Sequence, residues 1–291
     1  MGDAETWGDA TPASTPAVAA RSVASRWLAR FAATGGRPSL GSVVLAARGG
    51  AGIAARAVAD LLYPPSCLAC RAAVGSAHAL CPGCWRSMPF IEPPFCERLG
   101  TPFALDLGPG LVSPAALADP PVFGRARAVA RHDGPARDLV HRLKFSDRID
   151  MAGPMGLWMA RAGAGLTADA DALVPVPLHP LRFWRRRYNQ SMLLAQAISR
   201  HCRVPTHPDW LARVKATRPQ VGLTRSERAE NLQGSFRVPG GRRAQVAGAR
   251  IVLVDDVLTT GATANAAARV LLRAGAARVD VLTFARVTLA P

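Results

Sequence analysis

Residues 251–263, Ile-Val-Leu-Val-Asp-Asp-Val-Leu-Thr-Thr-Gly-Ala-Thr, constrain the fold more than any other stretch of the chain. A run of Ile, Val and Leu is what a parallel strand buried on both faces requires. Asp255 and Asp256 end that run, and a turn of small residues follows. A helix is predicted from near Thr263 to near Gly275, a glycine suited to the position just past a helix end. A strand of this kind needs parallel neighbours and a helical layer on each face, so the segment implies an α/β fold.

The turn also carries chemistry. Backbone N–H groups from Thr259, Thr260, Gly261, Ala262 and Thr263 would converge at a helix N-terminus, where an anion is stabilised. The Thr hydroxyls add donors, and Gly261 lets the backbone approach a phosphate without a Cβ in the way. Asp255 and Asp256 precede the turn at sugar distance, where carboxylates accept hydrogen bonds from a vicinal ribose diol. The ligand implied is a ribose 5-phosphate group. A nucleoside triphosphate loop of the G-x-x-x-x-G-K-[ST] type is excluded, because the segment has no lysine.

Strand patterns at Ala126–Ala130, Leu173–Val176, Ile251–Val254 and Val279–Phe284 alternate with helical patterns at Arg137–Phe145, Ala152–Ala162, Ser191–His201 and Thr263–Ala274. That alternation predicts a mainly parallel sheet covered on both faces. With 49% hydrophobic residues, a wholly disordered chain is excluded. Residues 1–38 read as a disordered tail, and residues 39–105 as a helix followed by a cysteine-bearing module. Residues 106–123 read as a Pro-rich linker, and 124–291 as the α/β domain. No internal repeat at solenoid spacing is visible.

Cys67-Leu-Ala-Cys70 and Cys81-Pro-Gly-Cys84 are two C-x-x-C knuckles on either side of a short loop. Paired knuckles suit one tetrahedral Zn²⁺, and four thiolates leave no open position, so the ion would be structural. A redox C-x-x-C is the rival reading, disfavoured because the motif is doubled. His78 lies in the loop as a surplus ligand candidate that four cysteines make unnecessary, and Cys96 and Cys202 read as small packed thiols. The first ionised side chains are acidic, the wrong sign for a secretory signal. No apolar run near the start approaches the length of a membrane span. The expectation is a soluble, cytoplasmic protein, where clustered cysteines favour metal over disulfides.

The net charge is +16, and only Lys144 and Lys215 are lysines among 36 basic residues. From Pro180 to Arg250 there are 15 basic residues against Asp209, Glu227 and Glu230, a balance of +12. The excess is concentrated in one block and argues for an anionic partner, whether phosphates or nucleic acid. Arg182, Arg185, Arg186 and Arg187, with Asn189 and Gln190, follow a strand at its carboxyl end, where a pyrophosphate is well placed. Farther on, Arg218, Gln220, Arg228 and Asn231 lie in a polar segment that would close over the site as a hood or bind a nucleic-acid backbone. Trp184 and Tyr188 are the stacking candidates for single-stranded DNA. Trp210 and Phe236 read as core.

The thirteen-residue segment resembles the 5-phosphoribosyl-1-pyrophosphate (PRPP) signature of type I phosphoribosyltransferases. Together with Tyr63-Pro-Pro-Ser-Cys67, the cysteine knuckles, Leu143-Lys-Phe145, Val174-Pro-Val-Pro-Leu178, Asn189-Gln190, Arg218-Pro-Gln220 and Glu227-Arg228 with Asn231, it resembles the ComF family. The resemblance spans roughly Leu61 to Phe284. It implies a type I phosphoribosyltransferase-like parallel sheet with helices on both faces, preceded by a small zinc-ribbon module. It implies Mg²⁺ arriving with PRPP, and competence-related handling of single-stranded DNA with helicase and recombination-mediator partners. Two positions depart from the family pattern. Leu99 replaces the last cysteine of a second knuckle, Cys96-Glu-Arg-Leu99-Gly100, and Arg187 replaces a glycine before the aromatic-Asn-Gln. Two functions stay open: a competence-type adaptor with a PRPP site, and an active phosphoribosyltransferase with an unidentified acceptor.

Overall fold

The structure is a computed structural model that describes residues 64–106, 108–146, 148–179, 188–215, 227 and 231–288. The tail and first helix expected before Tyr63 lie outside the described residues. The described residues belong to one compact unit, Pro64–Pro291.

The main sheet has four parallel strands in the order β1 (Ala126–Arg131), β6 (Arg278–Arg286), β5 (Arg250–Leu258) and β2 (Ala172–Pro175). Two short strands, β3 (Ala212–Arg213) and β4 (Phe236–Arg237), form a separate antiparallel pair. The helices are α1 (Pro82–Arg86), α2 (Pro114–Ala118), α3 (Gly134–Phe145), α4 (Ala152–Ala162), α5 (Ala164–Thr167), α6 (Gln190–Cys202), α7 (Arg243–Val246) and α8 (Ala262–Arg273).

Apolar residues bury both faces of the central strands. On one face Val252, Val254, Leu282 and Phe284 share a core with Leu139 and Leu143 of α3, Met155 and Met159 of α4, and Leu194 and Ile198 of α6. On the other, Ile251, Leu253, Val279 and Val281 pack with Ala264, Ala267, Ala268 and Leu271 of α8. Trp210 and Phe236 join that second cluster, each 5% exposed, as the sequence predicts. Small residues set the helix spacing. A Cβ at Gly156 of α4 would lie 2.4 Å from the Ala197 Cβ of α6.

The predicted strands and helices all form, with shifted ends. The important shift is in β5, which does not stop at the acid pair. It runs on to Leu258, in register with β6 through Asp255–Thr283, Val257–Ala285 and Leu258–Arg286. Its neighbour β6 is nine residues long and keeps offering ladder partners, while Val257 and Leu258 suit a strand. The carboxylates therefore sit inside the last stretch of a strand and not at its free end. The segment expected to be a linker, 106–123, holds helix α2 and the buried side chains Ser113, Ala116 and Phe123.

Candidate functional site: a glycine turn beside a buried acid pair, and a cysteine centre

The turn after β5 is shaped by Gly261, which has φ +81° and caps α8. That conformation is open to glycine at little cost, and strained for other residues. The first turn of α8 points its free N–H groups toward the carboxyl edge of the sheet. Asp255, Thr259, Gly261 and Thr263 line one small cavity there, with Val176 and Thr283. The Thr260 hydroxyl is buried without a hydrogen-bond partner, a donor held ready within the turn. At its far end α8 closes in a Schellman motif: Ala276 N–H donates to Leu271 O and Gly275 N–H to Leu272 O, with Gly275 at φ +99°.

The two carboxylates have different partners. Asp255 Oδ1 accepts from Ser191 Oγ and from the Asp256 N–H, both at 2.9 Å. Asp256 is 7% exposed, and its Oδ1 lies 3.0 Å from Lys144 Nζ. Burial, and then the neighbouring Asp256 charge, push the Asp255 carboxyl up to about 7, against the pull of Lys144 and of its hydrogen bonds. His132, in the loop after β1, is held below the ordinary histidine range by burial and then by Lys144. The arrangement is a poised acid pair: one carboxyl near its titration point at neutral pH, the other tied to a cation.

Asn189 caps α6, its Oδ1 accepting from Ser191 N–H at 3.1 Å and its Nδ2 donating to Val176 O at 3.1 Å. It thus fixes the loop after β2 to the helix that carries Ser191. Gln190 is buried in the first turn of α6. Asn231 lies half-buried, and its carbonyl accepts from Ser235 Oγ. Arg182, Arg185, Arg186, Arg187, Arg218, Gln220 and Arg228 lie outside the described residues. Ser191 is a site residue that the sequence did not single out, and Lys144, which stands in the family-like Leu143-Lys-Phe145 motif, had no role assigned to it. Lys144 had a signal, being one of two lysines in an arginine-rich chain. Ser191 had none.

The Sγ atoms of Cys67, Cys70, Cys81 and Cys84 lie within 4.8 Å of one another. A tetrahedron of Zn–S bonds of about 2.3 Å spaces its sulfurs about 3.8 Å apart, so the set fits zinc. Cys81 N–H donates to Cys67 Sγ at 3.2 Å, and Cys84 N–H to Cys81 Sγ at 3.4 Å. Burial alone would raise the Cys67 thiol, but N–H donors from Cys70, Cys81 and Ala69 outweigh it and bring it down to about 6. His78 stands apart in an exposed turn, 3.7 Å from Asp150.

The same knuckle occurs twice. Cys67 N–H donates to Ala72 O and Arg71 N–H to Cys67 O; Cys96 N–H donates to Thr101 O and Gly100 N–H to Cys96 O. Arg71 and Gly100 share the left-handed backbone, at φ 68° and 64°. Ser66–Ala73 and Phe95–Pro102 are the matching antiparallel bridges. Cys81 caps α1 and Ser113 precedes α2, each followed by proline, and Ser113 N–H donates to Cys96 Sγ at 3.2 Å. The repeat thus equates Cys67, Cys70, Cys81 and Cys84 with Cys96, Leu99, Ser113 and Ala116. Its first half shows in the sequence as the knuckle Cys96-Glu-Arg-Leu99-Gly100, and its second half does not, because Ser113 and Ala116 stand at the other two ligand positions. Packing holds the second unit where metal would hold the first: Cys96 and Ala116 are buried.

Comparisons with known proteins agree with these two parts. Residues 58–115 match the double zinc ribbon domain, and residues 189–288 match the phosphoribosyl transferase domain. The chain is 35% identical over 233 residues to "DNA utilization protein YhgH" of Salmonella typhimurium, covering 78% of this chain and 99% of that protein. It is 31% identical to "Competence protein F" of Haemophilus influenzae, over 76% of this chain and 96% of that protein. "Competence protein ComFC" of Bacillus subtilis is 35% identical, over 55% of this chain and 63% of that protein. Among solved structures, the glutamine PRPP amidotransferase of B. subtilis aligns with 49% of this chain and 30% of its own at 19% identity and a TM-score of 0.32. With its ribbon module, its parallel sheet and relatives matched over nearly their whole length, the chain belongs to the ComF/YhgH family of competence-related, phosphoribosyltransferase-like proteins.

Proposed function

We propose that the protein binds PRPP or a related ribose 5-phosphate at the turn Thr259–Thr263, and works as an accessory factor in the use of incoming single-stranded DNA. The observation that carries the ligand is the pairing of Asp255 and Asp256 with a glycine-capped helix start at the carboxyl edge of the sheet. The turn holds the phosphate and the acid pair accepts from the ribose hydroxyls. Ser191 and Lys144 position the two carboxylates. Mg²⁺ arriving with PRPP would offset the charge of its pyrophosphate, and Arg182, Arg185, Arg186 and Arg187 would serve the same anion. The DNA role is supported by the +12 block and by relatives named for DNA utilisation and competence. Helicase and recombination-mediator proteins of the cytoplasm are the partners this role calls for. Among the described residues no helix is long and apolar enough to cross a membrane.

A second reading is an active phosphoribosyltransferase, favoured by the Asp255 carboxyl at about 7. A group that titrates near neutral pH can take up a proton as an acceptor nitrogen attacks the ribose. Calorimetry with PRPP and Mg²⁺, followed by anisotropy of a labelled oligonucleotide across a salt series, tests the proposal. Saturable PRPP binding and a steep fall of DNA affinity with salt are expected. Absence of PRPP binding would refute the site. Salt-independent DNA binding, or none at low salt, would refute the DNA role and leave the transferase reading.

A further inference from the structure

A cavity of about 790 Å³ opens between the second, metal-free ribbon unit and the carboxyl edge of β5 and β6. Its volume is that of a small-molecule site, typically about 300–1,000 Å³. It stands on the side of the phosphate turn away from β2, and takes Thr259, Thr260 and Gly261 as part of its rim. Most of its wall is apolar: Leu99 from the ribbon unit, Phe103, Phe123, and Leu258 at the end of β5.

One group in that wall is out of keeping with the rest. Arg286, the last residue of β6, is 7% exposed, and its Nε is buried with no hydrogen-bond partner. Its Nη1 donates to Leu99 O at 2.6 Å, which uses one of its five donors. No carboxylate forms an ion pair with it among the described residues. Burial lowers its pKa to about 10, against an opposing pull from Cys96. A guanidinium removed from water without an anion is costly to keep, and the cost falls when a ligand brings the anion. Arg131, in register with Arg286 on β1, adds a second positive charge to the lining, whose acidic member is Asp119.

The shape of the need is therefore a flat apolar body with a single negative head. A carboxylate matches one planar guanidinium fork in geometry and in charge, whereas a phosphate would bring more charge into an apolar wall than one buried cation offsets. We propose that this cavity is a binding site for a small planar aromatic or heteroaromatic carboxylate, with its ring against Phe103 and Phe123 and its carboxylate on Arg286. The proposal does not rest on the PRPP reading, since Arg286, Phe103 and Phe123 require no sugar phosphate, although the cavity shares the Thr259–Gly261 edge with that site.

Naphthalene carboxylate and naphthalene carboxamide have nearly the same shape and differ in charge, which makes them the probes. Calorimetry on the full, zinc-loaded chain should show one saturable site for the acid, bound at least about tenfold tighter than the amide. Arg286→Met keeps an apolar stem, and should bring the ratio of the two affinities to about one. Ala104→Trp, at the exposed rim of the cavity, should block both probes while melting temperature and zinc content stay at wild-type values. Equal affinity for acid and amide, no saturable binding of either, or acid binding unaltered in Arg286→Met would overturn the proposal. If Arg286→Met proves unfolded, Ala104→Trp decides: undiminished acid binding in that variant overturns it.

Discussion

Asp255→Asn should stabilise the protein in neutral and alkaline solution while abolishing its response to PRPP. The Asp255 carboxyl is pushed from 3.8 to about 7, chiefly by burial and then by Asp256. A carboxyl whose pKa is raised on folding binds its proton more tightly in the native state than in the unfolded chain. Stability therefore falls as pH rises from about 3.8 to about 7, and the full penalty stands above that range. Three pKa units at about 1.36 kcal/mol each set a ceiling of roughly 4 kcal/mol. Asp255 keeps some contact with solvent and is coupled to Asp256, so a gain of about 2–4 kcal/mol is expected in the variant at about pH 8. Asparagine keeps an oxygen for the Ser191 Oγ–H and for the Asp256 N–H, so little is lost in exchange. Near pH 4, where the native carboxyl is protonated, the variant and the parent should be about equally stable. Urea unfolding at fixed zinc concentration, repeated from about pH 5 to about pH 9, reads the difference directly. A gain that does not change with pH, or no gain at about pH 8, would refute the electrostatic account. Retained thermal stabilisation by PRPP in the variant would refute the placement of the ribose. A carboxylate kept although it weakens the fold is what the usual trade between stability and activity predicts of a binding site.

Three further outcomes follow from the same geometry. Lys144→Met removes the cation 3.0 Å from Asp256 and should destabilise the protein by about 2–4 kcal/mol at about pH 8. It should also move the Asp255 titration still higher, since Lys144 lowers it, which the pH dependence of the unfolding midpoint will show. The wild-type chain should carry one equivalent of zinc, and the triple change Leu99→Cys, Ser113→Cys, Ala116→Cys should raise it to two by metal analysis; a count that stays at one refutes the repeat. Gly156→Ala places a methyl 2.4 Å from the Ala197 Cβ and should cost about 1–3 kcal/mol in thermal melts, as α4 and α6 are forced apart.

The sheet was legible because its strands are short apolar runs and its helices carry their apolar residues on one face. The strand, turn and helix around Asp255–Thr263 were legible because an apolar run, a glycine and a helix start stand there in consecutive residues. What escaped was whatever depends on a neighbour distant in sequence. The extension of β5 to Leu258 is decided by the length of β6, not by its own residues. Ser191 reaches Asp255 from α6 and Lys144, seen in the sequence only as part of Leu143-Lys-Phe145, reaches Asp256 from α3; no spacing rule links either helix to β5. The second ribbon unit was legible in part, through the family-like knuckle Cys96-Glu-Arg-Leu99-Gly100. What escaped was its other half, Ser113 and Ala116, where the backbone pattern holds but no cysteine marks it.

That pair of ribbon units invites a comparison in terms of freedom to vary. A tetrahedral thiolate centre tolerates almost no substitution, because each missing sulfur opens the coordination sphere and lowers affinity steeply. Once packing carries a unit instead, four fixed positions become ordinary interior and surface sites that selection can reshape one at a time. Leu99 and Ala115 of the second unit face the large cavity. The half of the module without a thiolate set is thus the half free to vary toward a small-molecule surface, while the four-cysteine half is tied to its ligand positions.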